Sequence, residues 1–332
     1  MEEGKGTVCV TGGTGYVASW LIMRLLQHGY SIRATVRSHS SGNERDISYL
    51  TNLAGAKERL EILEADLDRP ESFDQAIRGC VGVFHLAHPM NVDGKESEET
   101  VTRRALEGTL GILKACLVNS STVKRVVYTS SAVTVLFNDK GLSVNDETTW
   151  SDLDFCRRSK SVASSYLVSK TIVERTAIEF AEIHGLDLVT LVLPLVVGPF
   201  ICPSIPSSVY ISLAMILGDH GAYKNFDKLY VVHIDDVASA HIFLFEQCVK
   251  AKAGRYICSS ADITIHELFD SLSTRYPEFQ ISISDEFKDS KVNKTNSSLS
   301  SVKLLNTGFN FKYGLDEMFD GAVQCCKDKG LL

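Results

Sequence analysis

Tyr166 and Lys170 stand four residues apart within Ala163 to His184, a stretch whose apolar spacing predicts a helix, so both side chains leave one helical face. An ammonium held beside a phenol favours the phenolate and draws the phenol's pKa from about 10 toward neutrality, where it can donate or accept a proton. Ser131 closes the run Val126 to Ser131 (VVYTSS), which reads as the end of a strand, and its hydroxyl can bond a carbonyl oxygen. Together the three residues suit proton transfer coupled to hydride transfer at a carbonyl carbon. The Tyr-x-x-x-Lys spacing alone is weak, because such pairs are frequent on any helix surface. It gains meaning only if an earlier element binds a hydride carrier.

That element is Thr7 to Ala18 (TVCVTGGTGYVA). A short β-type run turns at Gly12 to Gly15 into an apolar helical pattern over Tyr16 to Gln27, and the spacing Gly12-x-x-Gly15-x-x-Ala18 is a variant of the dinucleotide fingerprint. Helix-start N–H groups lack intrahelical partners and sit at the positive end of the peptide dipoles, so a pyrophosphate can be held there without a basic side chain. The next strand, Ser31 to Val36, ends at Arg37, where NAD-type sites carry an acid for the ribose hydroxyls. A base at this point favours NADP(H) over NAD(H). Arg45 either adds a second cation for the phosphate or is a solvated surface residue.

Further strands read at Leu60 to Glu64, Val81 to Ala87, Val123 to Thr129 and Leu186 to Leu193, with helical patterns at Pro70 to Ile77, Glu96 to Leu117 and Ala163 to His184 between them. Regular β–α alternation predicts an α/β fold with a doubly wound parallel sheet of the Rossmann type. Asn138 to Lys160, with Trp150 and Asp152, has no period and is expected as a surface excursion. After Pro194 the prolines at 199, 203 and 206 break the alternation, which predicts a smaller C-terminal substrate lobe. The expected division is 1–194 for the dinucleotide-binding domain and 195–332 mainly for the lobe, with 226–248 returning to the first. Asp235 and Asp236 precede an apolar helical run and read as an N-cap rather than a metal site, and His233 reads as structural.

The chain has 332 residues, a formal net charge of −7 and 44% hydrophobic residues. Acidic balance argues against nucleic acid or an anionic membrane as partner and leaves a small molecule. An acidic N-terminus running straight into a strand, with no apolar run of bilayer length, makes a cytoplasmic protein the expectation. Nine cysteines without a C-x-x-C pair read mostly as core residues of a reducing compartment. A monomer or homodimer is expected.

With these residues in place the chain resembles the plant-type extended short-chain dehydrogenases/reductases, the group of dihydroflavonol, anthocyanidin and vestitone reductases and noscapine synthase. The likeness runs over nearly the whole chain, through Thr11 to Ser19, Val126 to Ser131, Tyr166 to Lys170, Pro194 to Phe200, Val232 to His241 and Gly308 to Leu332. It implies that Ser131 orients a carbonyl, Tyr166 passes the proton, and Lys170 bonds the nicotinamide ribose and tunes Tyr166. It also implies cofactor contacts at Gly12, Gly15, Tyr16, Val17, Arg37, Asp66, Leu67, Ala87, Pro194 and Val197. Three positions depart from the group: Glu107-Gly108 replaces a common Asn-Gly, His88 stands where Thr or Ser is usual, and Leu136 replaces an Asn or Asp that grips a polyphenol ring. The expected pocket is mostly apolar, from Leu136, Phe200, Ile205, Tyr210 and Met215, with walls running through Ala87 to Met90. His88 either faces the substrate there or touches only protein.

The expected function is NADP-dependent hydride transfer between nicotinamide and a carbonyl or secondary alcohol of a multi-ring plant metabolite. Two alternatives stand beside flavonoid-type ketone reduction. One is oxidation of an alkaloid alcohol or hemiacetal; the other is a catalytically idle cofactor-binding scaffold.

Overall fold

A computed structural model describes residues 4–37, 46–89, 96–158, 164–223, 226–281 and 297–332; Arg45 and Met90 lie outside the described residues. Seven strands make one sheet: β1 (Thr7–Thr11), β2 (Ser31–Val36), β3 (Leu60–Glu64), β4 (Gly82–His85), β5 (Arg125–Ser131), β7 (Leu188–Leu193) and β10 (Gly254–Ile257). Their order is β3-β2-β1-β4-β5-β7-β10, and every neighbouring pair is parallel. The chain runs outward one way from β1 through β2 and β3, then the other way from β4, so the order reverses between β1 and β4. A crevice opens at such a reversal, beyond the carboxyl ends of the strands. β4 and β7 are buried along their full length, as parallel strands covered on both faces must be.

One face carries α1 (Tyr16–Gln27) and α4 (Ile234–Glu246), with Leu21 and Leu25 of α1 and Ala238 and Ile242 of α4 clustered with Ile32, Phe84 and Val127 of the sheet. The other carries α2 (Glu98–Val118) and α3 (Ser164–His184), packed on Val83, Val126 and Leu188 through Ile112, Leu113, Val173 and Ala177. A third cluster joins Val197, Phe200, Met215 and Leu229 to Leu268 of α5 (Ile265–Arg275) and to Met318 and Phe319 of α6 (Leu315–Asp328). This lobe has its own sheet, in which β9 (Lys228–His233) pairs parallel with β8 (Leu195–Val197) and antiparallel with β11 (Ala261–Thr264). The chain therefore leaves the main sheet after β7, returns to its face with α4 and joins its edge with β10.

Two local expectations are corrected. Asn138 to Lys160 is not simply a surface excursion: β6 (Val144–Asn145) pairs with β12 (Ser298–Leu299), and Thr149 and Ser151 are buried. Burying Arg255 is the physical reason, since its guanidinium needs acceptors and takes the carbonyls of Glu147 and Thr149, each at 2.9 Å. Nor does Asp235 or Asp236 cap α4. The cap is His233, whose Nδ1 accepts from the Asp235 amide at 3.1 Å and whose ring stacks on Tyr313. The two carboxylates have other partners: Asp235 accepts from Trp20 and pairs with Arg24, while Asp236 accepts from the amides of Lys312 and Tyr313.

Among the described residues no helix is long and apolar enough to cross a membrane, and no group of three or more His, Cys, Asp or Glu is placed to hold a metal.

Candidate active site

The floor of the site is set where β1 and β4 end, with Thr11 directly beside His85 in register. Thr11 Oγ1 accepts from the amides of Leu86 and Ala87 at 3.0 Å each, so its proton is left for His85 Nδ1 at 2.8 Å. His85 Nε2–H then donates to Thr109 Oγ1 at 3.0 Å, and burial together with the nearby Lys170 cation holds this imidazole's pKa down at about 3. A neutral histidine thus fastens the glycine loop to the neighbouring strand end.

Gly12 has φ +71° on this loop, and a Cβ there would lie 3.0 Å from the Ala87 Cα, so only glycine fits. Gly15 precedes α1 in an extended conformation, Tyr16 Oη donates to the Gly198 carbonyl at 3.1 Å, and Ala18 is buried on the inner face of α1. Gly12, Gly15, Tyr16 and Val17 line a cleft of about 730 Å³ together with Arg37, Asp66, Leu67, Ala87, His88, Pro194 and Ile205. Ser131, Tyr166 and Lys170 line the same cleft. Its volume lies within the range usual for a small-molecule or cofactor site.

The reactive side chains form a stripe along α3. Tyr166, Lys170 and Glu174 sit at intervals of four residues and meet the last three residues of β5: Tyr166 shares a hydrogen bond with the Ser131 hydroxyl, Lys170 Nζ donates to the Thr129 carbonyl at 3.2 Å, and Ser130 Oγ donates to Glu174 at 2.7 Å. Burial lowers the Lys170 pKa from 10.5 to about 8 against the upward pull of Glu174. The tuning expected for Tyr166 is corrected here. Burial raises its pKa, and the opposing influence is the Ser131 hydroxyl rather than the ammonium, which is turned toward the Thr129 carbonyl and the Tyr128 ring at 5.3 Å.

His88 lies edge-on to Tyr166 with ring centroids 5.5 Å apart. Its Nε2 is shut off from solvent without a hydrogen-bond partner, and burial, Lys170 and His85 push its pKa well below 6.5, so the ring is neutral.

Five of the residues expected around the ligand lie away from this cleft. Val197, Phe200 and Met215 are buried in the lobe's own core, Phe200 against Tyr16, and Leu136 packs beside Ala132, Val135 and Ile257. Tyr210 is exposed and donates to Asp219 at 2.9 Å. An apolar side chain on a loop reads alike in sequence whether it covers a ligand or the core beneath it. Glu107 pairs with Arg103 at 3.1 Å on the exposed side of α2, away from Ser131, Tyr166 and Lys170.

Residues 8–258 match the NAD dependent epimerase/dehydratase family. The chain belongs to that family. Among its relatives, vestitone reductase of Medicago sativa is 49% identical over 332 residues, covering 100% of both chains. Noscapine synthase of Papaver somniferum is 51% identical, with 99% of this chain and 95% of that one covered. Protein BRI1-5 ENHANCED 1 of Arabidopsis thaliana is 56% identical, with 100% and 91% covered. The crystal structure of alfalfa vestitone reductase superposes with a TM-score of 0.86 at 47% identity, covering 99% of this chain and 100% of that chain. As an epimerase/dehydratase-family chain it has cleft residues with no motif to announce them. Thr35, whose hydroxyl accepts from Gly12 N at 3.3 Å, reads in sequence only as a β-former. Arg104, paired with Asp68 and Glu96, reads as a solvated helix charge; the segment Cys202 to Ser208 lines the cleft, where the sequence places part of the pocket wall through Ile205.

Proposed function

We propose that this chain is an NADP-dependent reductase acting on the ketone of a multi-ring plant metabolite. The observation that carries the reading is the opening of Ser131, Tyr166 and Lys170 into the same cleft as the glycine loop. Relatives of full-length similarity named vestitone reductase and dihydroflavonol 4-reductase support the substrate class. The residues fit a dinucleotide: a helix start free of side-chain caps, a glycine whose missing Cβ leaves room against Ala87, and Arg37 on the cleft wall. Gly12, Gly15, Tyr16 and Val17 would hold the pyrophosphate end, Arg37 the 2′-phosphate, and Lys170 and Pro194 the nicotinamide end, with Asp66, Leu67 and Ala87 between them. When bound, the dinucleotide supplies the hydride. Ser131 donates to the substrate carbonyl and fixes its orientation, and Tyr166 delivers the proton to the oxygen as negative charge develops there. Lys170, its ammonium on the Thr129 carbonyl, holds positive charge on the wall of the same cleft.

Turnover is tested by following nicotinamide absorbance with flavonoid, isoflavonoid and alkaloid ketones and the corresponding alcohols. Reduction of a multi-ring ketone with NADPH is expected; activity only on alcohols would reverse the direction, and none with any compound would favour a binding scaffold.

Two substitutions probe the ends of the cleft. Arg37→Ser removes a charge-assisted, forked contact to a phosphate, worth about 1.5 to 3 kcal/mol. The KM for NADPH should rise roughly ten- to a hundredfold while that for NADH changes little, and equal losses for both would show that Arg37 does not read the phosphate. His88→Phe removes the unpartnered nitrogen while keeping an aromatic ring against Tyr166. A substrate oxygen that bonds this nitrogen would lose about tenfold in kcat/KM, mostly through KM, with NADPH affinity unchanged. Unaltered kinetics across the panel would leave His88 a wall residue only.

A further inference from the structure

Beneath the cleft lies a buried ion pair that hydride transfer does not itself require. Glu174 is fully buried on α3, and Arg255, on β10, is 6% exposed. The carboxylate accepts from Arg255 Nε at 3.1 Å, Thr190 Oγ1 at 2.7 Å and Ser130 Oγ at 2.7 Å. Arg255 is fixed in turn by the Glu147 and Thr149 carbonyls, by Thr134 Oγ1 at 3.0 Å and by the Trp150 ring 3.6 Å from its guanidinium carbon. Glu174 is thus locked one helical turn below Lys170, and through Ser130 it grips the residue next to Ser131.

Buried ion pairs are costly to desolvate and are often replaceable by apolar residues without loss of stability. A pair this deep therefore calls for another explanation, and its position supplies one. Among the described residues the other charged or titratable groups around Lys170 are Tyr166 on its own helix, Tyr128 on β5, His85 on β4 and His88 just after β4; both histidines are held neutral, and none of the four is an anion. We propose that Glu174, held in place by Arg255, is a positioning residue for the reaction: it keeps Lys170 cationic next to Tyr166 and steadies the strand end that presents Ser131. The proposal rests on the reading of Ser131, Tyr166 and Lys170 as the catalytic groups.

The sign is fixed by charge. Glu174 favours the protonated amine, so its removal must lower the Lys170 pKa further below the present value of about 8. Lys170 can be titrated directly by carbon-13 NMR of lysine-labelled protein without cofactor, its signal assigned by loss in Lys170→Met. In Glu174→Gln the midpoint should fall by roughly one pH unit, whereas Glu174→Asp, which keeps the charge, should hold it near that of the wild type. The basic limb of kcat/KM should move with the midpoint. At pH 8 a one-unit fall takes the protonated fraction from about half to about a tenth, so the rate there should drop roughly fivefold. A merely structural role would scale the rate at every pH and leave the midpoint still.

Glu174→Gln leaves Arg255 without its carboxylate, so if the single variant does not fold, the midpoint of Glu174→Gln/Arg255→Met is read against that of Arg255→Met, which isolates the loss of the Glu174 charge. An unmoved midpoint in the folded variant overturns the proposal. A moved midpoint in a protein whose wild type reduces no ketone would instead overturn the reductase reading and leave the Glu174–Lys170 coupling standing.

Discussion

Tyr166→Phe is expected to lower kcat about a thousandfold while leaving NADPH affinity within about twofold of the wild type, because a positioned general acid contributes roughly 10² to 10⁴ in rate and only the transferable proton is lost. The ring stays edge-on to His88, so the wall of the cleft keeps its shape. The structure sharpens the expectation. Desolvation holds the phenol protonated, with the Ser131 hydroxyl as the influence that opposes this rise. Single-turnover reduction with bound NADPH measures the step directly, and a rate within a few-fold of wild type would remove Tyr166 from the proton path.

Lys170→Met carries the second large effect, and here activity and stability should move in opposite directions. Loss of the cleft's buried cation should lower kcat about a hundredfold, and loss of the proposed ribose contact should weaken NADPH binding about tenfold. The lysine is buried with its pKa lowered from 10.5 to about 8, so the native state binds this proton less tightly than the unfolded chain does. The resulting penalty is fully present below pH 8 and is relieved as pH rises from there toward 10.5. Methionine has no charge to desolvate. At pH 7 the variant should melt no lower than the wild type, and the gap between the two should narrow at pH 9. A variant that lost both activity and several degrees of Tm at pH 7 would mean that the bond to the Thr129 carbonyl outweighs the desolvation cost.

The sequence by itself determined the fold class and the shared helical face of Tyr166 and Lys170, because both rest on short-range rules. Alternating apolar strands and helical periods leave little choice but a parallel sheet, and a glycine turn at the first strand–helix junction puts an anion site at one known edge of it. A four-residue spacing on a helix is local geometry as well, so Tyr166 and Lys170 had to share a face. What only the tertiary structure decided is which side chains across the chain confront those groups. No local rule sends Phe200 and Met215 into the lobe core and the Cys202 to Ser208 turn to the cleft, since both are apolar or small residues of one proline-broken segment. The direction of the Lys170 ammonium depended on a carbonyl of β5, 41 residues away in sequence, and the partner of Glu174 on a strand 81 residues away. Burial, which sets the pKa values of Tyr166, Lys170, His85 and His88 before any charge acts on them, is a property of the packed whole. Spacing brings reactive groups together; the dielectric around them exists only once the sheet, its helices and the lobe have closed.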